Sequence, residues 1–147
     1  MSLNFPVKGR QGDPGAKGDK GDKGDQGDPG SLNLVDRGDP GSADFTVGDF
    51  TCDAAWHDLD LSGIVPAGAM AVLINVVTDT SDANQQILFR KKGKTGWRSA
   101  QKVYCLSYYL KDSKDCLVFC DADRKIQYLS NLNWTLLDFT VCGWILE

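Results

Sequence analysis

The chain has 147 residues, a net charge of −4, 41% apolar and 24% charged residues, which suits one compact domain plus an extended segment. Neither half has the basic excess of a nucleic-acid binder. No stretch approaches the roughly 18 apolar residues of a membrane span, so neither nucleic acid nor membrane insertion is expected. The average composition hides two unlike parts. Residues 1–43 carry almost no large apolar side chains, whereas residues 44–147 hold all four Trp and all four Tyr and can bury a modest core.

The N-terminus, Met1-Ser2-Leu3-Asn4-Phe5-Pro6-Val7-Lys8, lacks the charged start and apolar run of a secretion signal. A soluble, cytoplasmically made protein is therefore expected.

Glycine then falls at positions 9, 12, 15, 18, 21, 24, 27 and 30 without a miss. At a background frequency of about 7%, such a run arises by chance with a probability on the order of 10⁻⁹. Only Gly fits the crowded axis where three polyproline-II-like chains meet, so strict period three predicts a collagen-like triple-helical stalk over residues 9–32. Its length is roughly 70 Å at about 3.1 Å per residue. Only Pro14 and Pro29 fill third positions of triplets, so the three chains need other links. Lys17 with Asp19, Lys20 with Asp22 and Lys23 with Asp25 supply them: each third-position Lys comes near the Asp two residues further along a neighbouring chain. An exposed pair of this kind contributes ~0.2–1 kcal/mol, but the motif recurs three times in each chain. The stalk's melting temperature is expected to drop in molar salt; an unchanged value would remove the charge-pairing account.

Residues 33–43 read as an interruption and linker, Asn33-Leu34-Val35-Asp36-Arg37 preceding Gly38-Asp39-Pro40-Gly41. Leu32, Leu34 and Val35 either close as an apolar plug on the threefold axis or belong to a plain hinge.

From residue 44 the signals are strands and turns, with no helical periodicity. Phe45–Val47 and Trp56–Leu61 are short candidates. Met70–Val77 is a nearly unbroken apolar run, as a strand covered on both faces would be. Gln86–Lys91 ends at the basic turn Lys92-Gly93-Lys94-Thr95-Gly96. Lys102–Leu106, Leu117–Cys120 and Lys125–Leu129 follow. In Trp134–Leu146 the alternation puts Leu137, Phe139, Val141 and Ile145 on one face and Asp138, Thr140, Cys142 and Trp144 on the other. Short strands with turns every 8–14 residues predict an all-β, jelly-roll-like β-sandwich head over residues 44–147. A trimeric head would align the three chains of the stalk behind it.

Little here signals catalysis, so no enzyme, cofactor or metal is expected. Five cysteines (Cys52, Cys105, Cys116, Cys120, Cys142) make an odd count without metal-finger spacing, and read as buried reduced thiols. His57 is the single histidine and reads as an ordinary strand residue. Gly93-Lys94-Thr95 lacks the earlier glycine of a phosphate loop, since Leu88 stands there. Arg37-Gly38-Asp39 spells an integrin-binding tripeptide, but in a stretch already rich in Gly and Asp. Asn133-Trp134-Thr135 is a glycosylation pattern without consequence in a cytoplasmic product. Asp79, Asp82, Asp121 and Asp123 read as solvated turn carboxylates, since no full calcium loop surrounds them.

Several stretches carry a resemblance: Asp60-Leu61-Ser62-Gly63-Ile64-Val65-Pro66-Ala67-Gly68-Ala69, Phe89-Arg90-Lys91-Lys92-Gly93, Asp123-Arg124-Lys125-Ile126-Gln127-Tyr128, Trp134-Thr135 and Gly143-Trp144. Over most of residues 56–146 the chain resembles C-terminal head domains of tailed-bacteriophage fibre and virion-surface proteins, which often stand behind collagen-like repeats. The resemblance implies a homotrimeric virion component whose head touches the host surface or its glycans. Residues 1–8 would then attach the fibre to other virion proteins, with Leu3, Phe5 and Val7 alternating as an added strand does. Two other classes fit the same plan: a decoration or adaptor protein without receptor binding, and a soluble recognition protein resembling collagenous lectins. If the head binds sugar, Trp97, Arg98, Tyr108 and Tyr109, all between predicted strands, are the candidate contacts; packing at a trimer interface is the competing use of these rings.

Overall fold

The computed structural model describes residues 9–10, 12–16, 18, 32–82, 85–105, 110–131 and 134–146. The chain divides into two units, Met1–Gly30 and Ser31–Glu147. The ion-pair candidates Lys17, Asp19, Lys20, Asp22, Lys23 and Asp25 lie outside the described residues. So do Leu3, Phe5, Val7, Tyr108, Tyr109 and Asn133.

The second unit is all β. Its strands are β1 (Asn33–Asp36), β2 (Trp56–Asp60), β3 (Ala69–Asp79), β4 (Gln85–Lys91), β5 (Gln101–Cys105), β6 (Asp112–Phe119), β7 (Lys125–Ser130) and β8 (Leu136–Leu146). They form two four-stranded sheets, ordered β1-β8-β3-β6 and β2-β7-β4-β5, and every pairing between them is antiparallel. The two sheets make a β-sandwich whose inner faces supply the core. β1 pairs with β8, β2 with β7, β3 with β6 and β4 with β5, so the chain is a nest of hairpins closed on the β4–β5 turn. Along the sequence every connection except β4–β5 passes from one sheet to the other.

Alternation explains the core. In β3, Val72, Ile74 and Val76 point inward and are fully buried, opposite Ile87, Phe89, Ile126 and Tyr128 of the second sheet's strands. Leu137, Phe139 and Val141 of β8 join them. Phe139 is the hub, with ring centroids 5.7 Å from Phe45, 5.4 Å from Phe89 and 6.3 Å from Phe50. Cys105, Cys116 and Cys120 sit in this core, whereas Cys52 and Cys142 are half-buried. Burial pushes the Cys116 and Cys120 thiols up, favouring the neutral form.

Four local expectations are corrected. Residues 33–43, read as interruption and linker, contain β1, which pairs with β8 from Asn33 against Leu146 to Asp36 against Gly143. A Cβ on Gly143 would stand 2.5 Å from the Val35 carbonyl oxygen, so β1 docks where only glycine leaves room. Phe45–Val47 is no strand: Phe45 makes an isolated bridge to Phe139, and Val47–Asp49 turns as a single 3₁₀ turn. Asp49 accepts the Thr46 N–H at 2.8 Å, reversing the chain there. β6 begins at Asp112 rather than Leu117, because its polar first half lies on an exposed sheet edge and leaves no apolar signal. In β8, the register shifts between Gly143 and Val141 and leaves Cys142 as the extra residue. That bulge moves Trp144 onto the core side and Ile145 outward, the reverse of strict alternation.

Polar side chains hold the β2 flank. Asp53 lies 2.8 Å from His57, Asp58 pairs with Lys92 and receives Gln127 at 3.1 Å, and Asp60 receives the Ser62 N–H at 2.9 Å. The hydrogen bonds from His57, Lys92 and Ser62, respectively, hold all three carboxyls below their ordinary value. A depressed folded pKa means stability present above the unfolded value of about 3.9 and lost as pH falls through the folded one. The head's melting temperature should therefore stay level from neutral pH down to about 5 and decline below about 4. Asp58→Asn should flatten part of that decline, and an identical acid profile in the variant would dismiss Asp58 as a contributor.

Candidate functional site

The β4–β5 hairpin carries the sequence candidates that lie among the described residues. β4 ends at Lys91, and Lys92-Gly93 makes the turn, with Gly93 at φ +84°, a conformation that glycine takes without strain. Gly93-Lys94-Thr95 is thus part of the hairpin loop. Arg90 anchors this loop from beneath. Its guanidinium donates to the Thr95 carbonyl and to Gln127 Oε1, both at 3.1 Å, and lies 3.5 Å from the centroid of the Trp56 ring. A buried arginine with both neighbours satisfied makes the loop above it a defined platform.

Trp97–Ser99 then forms a 3₁₀ turn, closed by Ser99 Oγ donating to the Gly96 carbonyl at 2.8 Å. Trp97 is 58% exposed. Lys102 Nζ sits 3.8 Å from its ring centroid, so one face of the indole is held by a cation. Arg98 is exposed in the same turn.

Beside this turn, between the hairpin and β6, lies a cleft of about 510 Å³. Lys91, Lys94, Ser99 and Gln101 line one side, and Leu117, Val118 and Phe119 the other, with Phe89 also lining it. The amines, hydroxyl and amide are suited to a ligand rich in hydroxyl or carboxylate oxygens, and the exposed Phe119 ring gives a C–H face something to stack on. Neither Trp97 nor Arg98 lines the cleft, although their turn reaches it through Ser99. The cleft-lining residues carry no signal of a site in the sequence, where Lys94 reads as part of the basic turn. Only the flagged basic turn hinted at them, because β6 reaches the hairpin from more than fifteen residues away in the chain.

Other candidates resolve into structural roles. His57 is a β2 residue against the Tyr128 ring. Arg37 of the Arg37-Gly38-Asp39 tripeptide is gripped by Asp44 at 2.5 and 2.8 Å, which leaves that guanidinium committed within the fold. Asp121 accepts the Lys125 N–H at 2.7 Å in the β6–β7 turn. Among the described residues no cluster of three or more His, Cys, Asp or Glu could hold a metal ion, and no helix is long and apolar enough to cross a membrane. No protein-family model matches the chain, and no curated protein matches it either.

Proposed function

We propose that the chain is the subunit of a homotrimeric bacteriophage fibre, a virion-surface protein in which a collagen-like triple helix carries a jelly-roll head that contacts host-surface glycan. The observation that carries this reading is the juxtaposition itself: eight unbroken glycine triplets run directly into an eight-stranded sandwich. The nested hairpin order β1-β8-β3-β6 over β2-β7-β4-β5 supports the jelly roll, in which paired long hairpins are rolled into two sheets. A rod ending in a compact knob is the geometry for holding a binding domain away from a particle. The stalk supplies reach and the head supplies contact. Residues 1–8 would join the fibre to other virion proteins.

The cleft beside the Trp97 turn is the part of the head best equipped for a saccharide, with the cations and hydrogen-bonding groups of Lys91, Lys94, Ser99 and Gln101 next to exposed aromatic rings. No catalytic role is assigned to any residue.

Two measurements test the proposal. Sedimentation velocity of the full-length chain should give an elongated particle of three chains; a compact single chain would overturn it. On an array of bacterial surface polysaccharides, the protein should bind a subset. Trp97→Ala combined with Lys94→Ala should weaken that binding about tenfold or more, roughly 1.4 kcal/mol, while the particle keeps three chains. Undiminished binding by that variant would take the cleft and its flanking tryptophan out of recognition.

A further inference from the structure

We propose that the outer face of the β1-β8-β3-β6 sheet is the surface on which three heads associate, the occupant being a second copy of this chain. The inference rests on the trimeric reading above and assigns the interface that it requires.

Register and exposure point to this face. Leu34 pairs with Ile145, Ile145 with Ala71 and Ala71 with Phe119, so one apolar row crosses all four strands. In the next outward row Leu73 stands between Gly143 and Leu117. Leu34 is 63% exposed, Phe119 54% and Leu117 40%, while Ile145 and Leu73 are half-buried. Further along the sheet the outward positions turn polar: Asn75 bonds Asp115 and Ser113 at 2.8 and 2.9 Å. The apolar residues are therefore gathered at one end, bordered by a polar margin, as in the core and rim of a protein interface.

The opposite face of the sandwich differs. There the row Asp58, Gln127 and Arg90 is a hydrogen-bonded charged network extended by Lys92, and the apolar row Trp56, Leu129 and Leu88 beside it is already covered within the chain, with Arg90 lying on the Trp56 ring and Leu88 buried. β3 itself adds a second argument. Its run reads as a strand covered on both faces, yet on the outward side of the patch the single chain fully buries only the small Ala71 and leaves Leu73 half-buried, while Val72, Ile74 and Val76 are fully buried on the core side.

The sequence names the occupant. Glycine triplets end at Gly30 and require three chains around one axis. β1 starts at Asn33, three residues on, a reach of at most about 11 Å. Three copies of β1 must thus begin close together. The apolar row starts at Leu34, the second residue of β1 and the fourth after Gly30 in sequence, so the exposed patch lies at the sheet end where β1 begins. Three such patches around an axis make a closed heterologous ring, in which one part of each copy's patch meets a different part of the next copy's.

The cleft shares Leu117 and Phe119 with this face, so in the assembly a neighbouring head would form part of its wall. Ligand binding and trimer formation would then be linked.

The test uses the full-length chain in two ways. In hydroxyl-radical footprinting of the unaltered protein, Phe119 should be protected, relative to the urea-unfolded chain, more strongly than Tyr104. In an isolated head the order would be reversed, since Phe119 is the more exposed, at 54% against 41%. In sedimentation velocity, Leu117→Glu combined with Phe119→Glu should reduce the particle from three chains to one. An unaltered protein that sediments as a single chain sinks the trimeric fibre itself. A three-chain protein whose Phe119 is no better protected than Tyr104, or whose double variant remains at three chains, overturns this face alone. If the double variant does not fold, the footprint of the unaltered protein decides.

Discussion

Phe139→Ala is expected to destabilise the head by about 3–5 kcal/mol, measured as the urea-unfolding transition of the full-length chain followed by tryptophan fluorescence. Phe139 is fully buried at the centre of β8, paired with Val76 of β3. Its ring touches edges or tilted faces of Phe45, Phe50 and Phe89 at 5.4–6.3 Å between centroids, and each such aromatic pair adds ~0.5–1.5 kcal/mol beyond the area it buries. The cavity left by alanine cannot close easily, because the backbone on both sides is held: Phe139 N–H donates to the Phe45 carbonyl at 2.9 Å, and the Phe139 carbonyl accepts from Asp44 and Phe45 at 2.9 and 3.1 Å. Phe139→Leu keeps most of the volume and should cost about 1.5 kcal/mol. A loss below about 1 kcal/mol for alanine would mean that the two sheets collapse onto the vacated space, contrary to the rigid packing argued here.

Asp44→Ala should cost about 3 kcal/mol and selectively loosen β1. The Asp44 side chain is 9% exposed and the Arg37 side chain 24%. Asp44 accepts two bonds from the Arg37 guanidinium, at 2.5 and 2.8 Å, and one from the Val141 N–H at 2.7 Å. Arg37 in turn donates to the Val141 carbonyl at 3.0 Å, and its backbone N–H to Cys142 at 2.9 Å. Alanine would leave a half-buried guanidinium with only the Val141 carbonyl, and the Val141 N–H without its acceptor, which is the expensive way to break a pair. Asp44→Asn retains an oxygen for Val141 and should recover part of the loss. Hydrogen exchange locates the effect: the β1–β8 amides should exchange faster in Asp44→Ala while β4 and β7 change little. Uniform acceleration across both sheets would show that the clasp supports the whole sandwich rather than one strand.

Sequence alone determined the features that rest on local repetition. The glycine triplets are legible because a strict period of three is a property of the local sequence and needs no distant partner to be seen. The all-β class and strands β2, β3, β4, β5, β7 and β8 are legible because each alternates or runs apolar between turn residues; the turn at Lys92-Gly93 is equally legible, because a glycine among polar residues between two strand-like runs punctuates the chain. Tertiary structure decided what depends on distant partners. β1 has four residues and no fully buried side chain, so its strand character comes from β8 and from the space at Gly143. The first half of β6 is polar and extended only because β3 stands beside it. The bulge at Cys142 reverses Trp144 and Ile145 because a register shift is a property of a pair of strands. The cleft and the outward apolar row likewise exist only once β6 has been laid next to β3 and the β4–β5 hairpin, since no local pattern records which strand becomes an edge or which apolar side chain is left facing out.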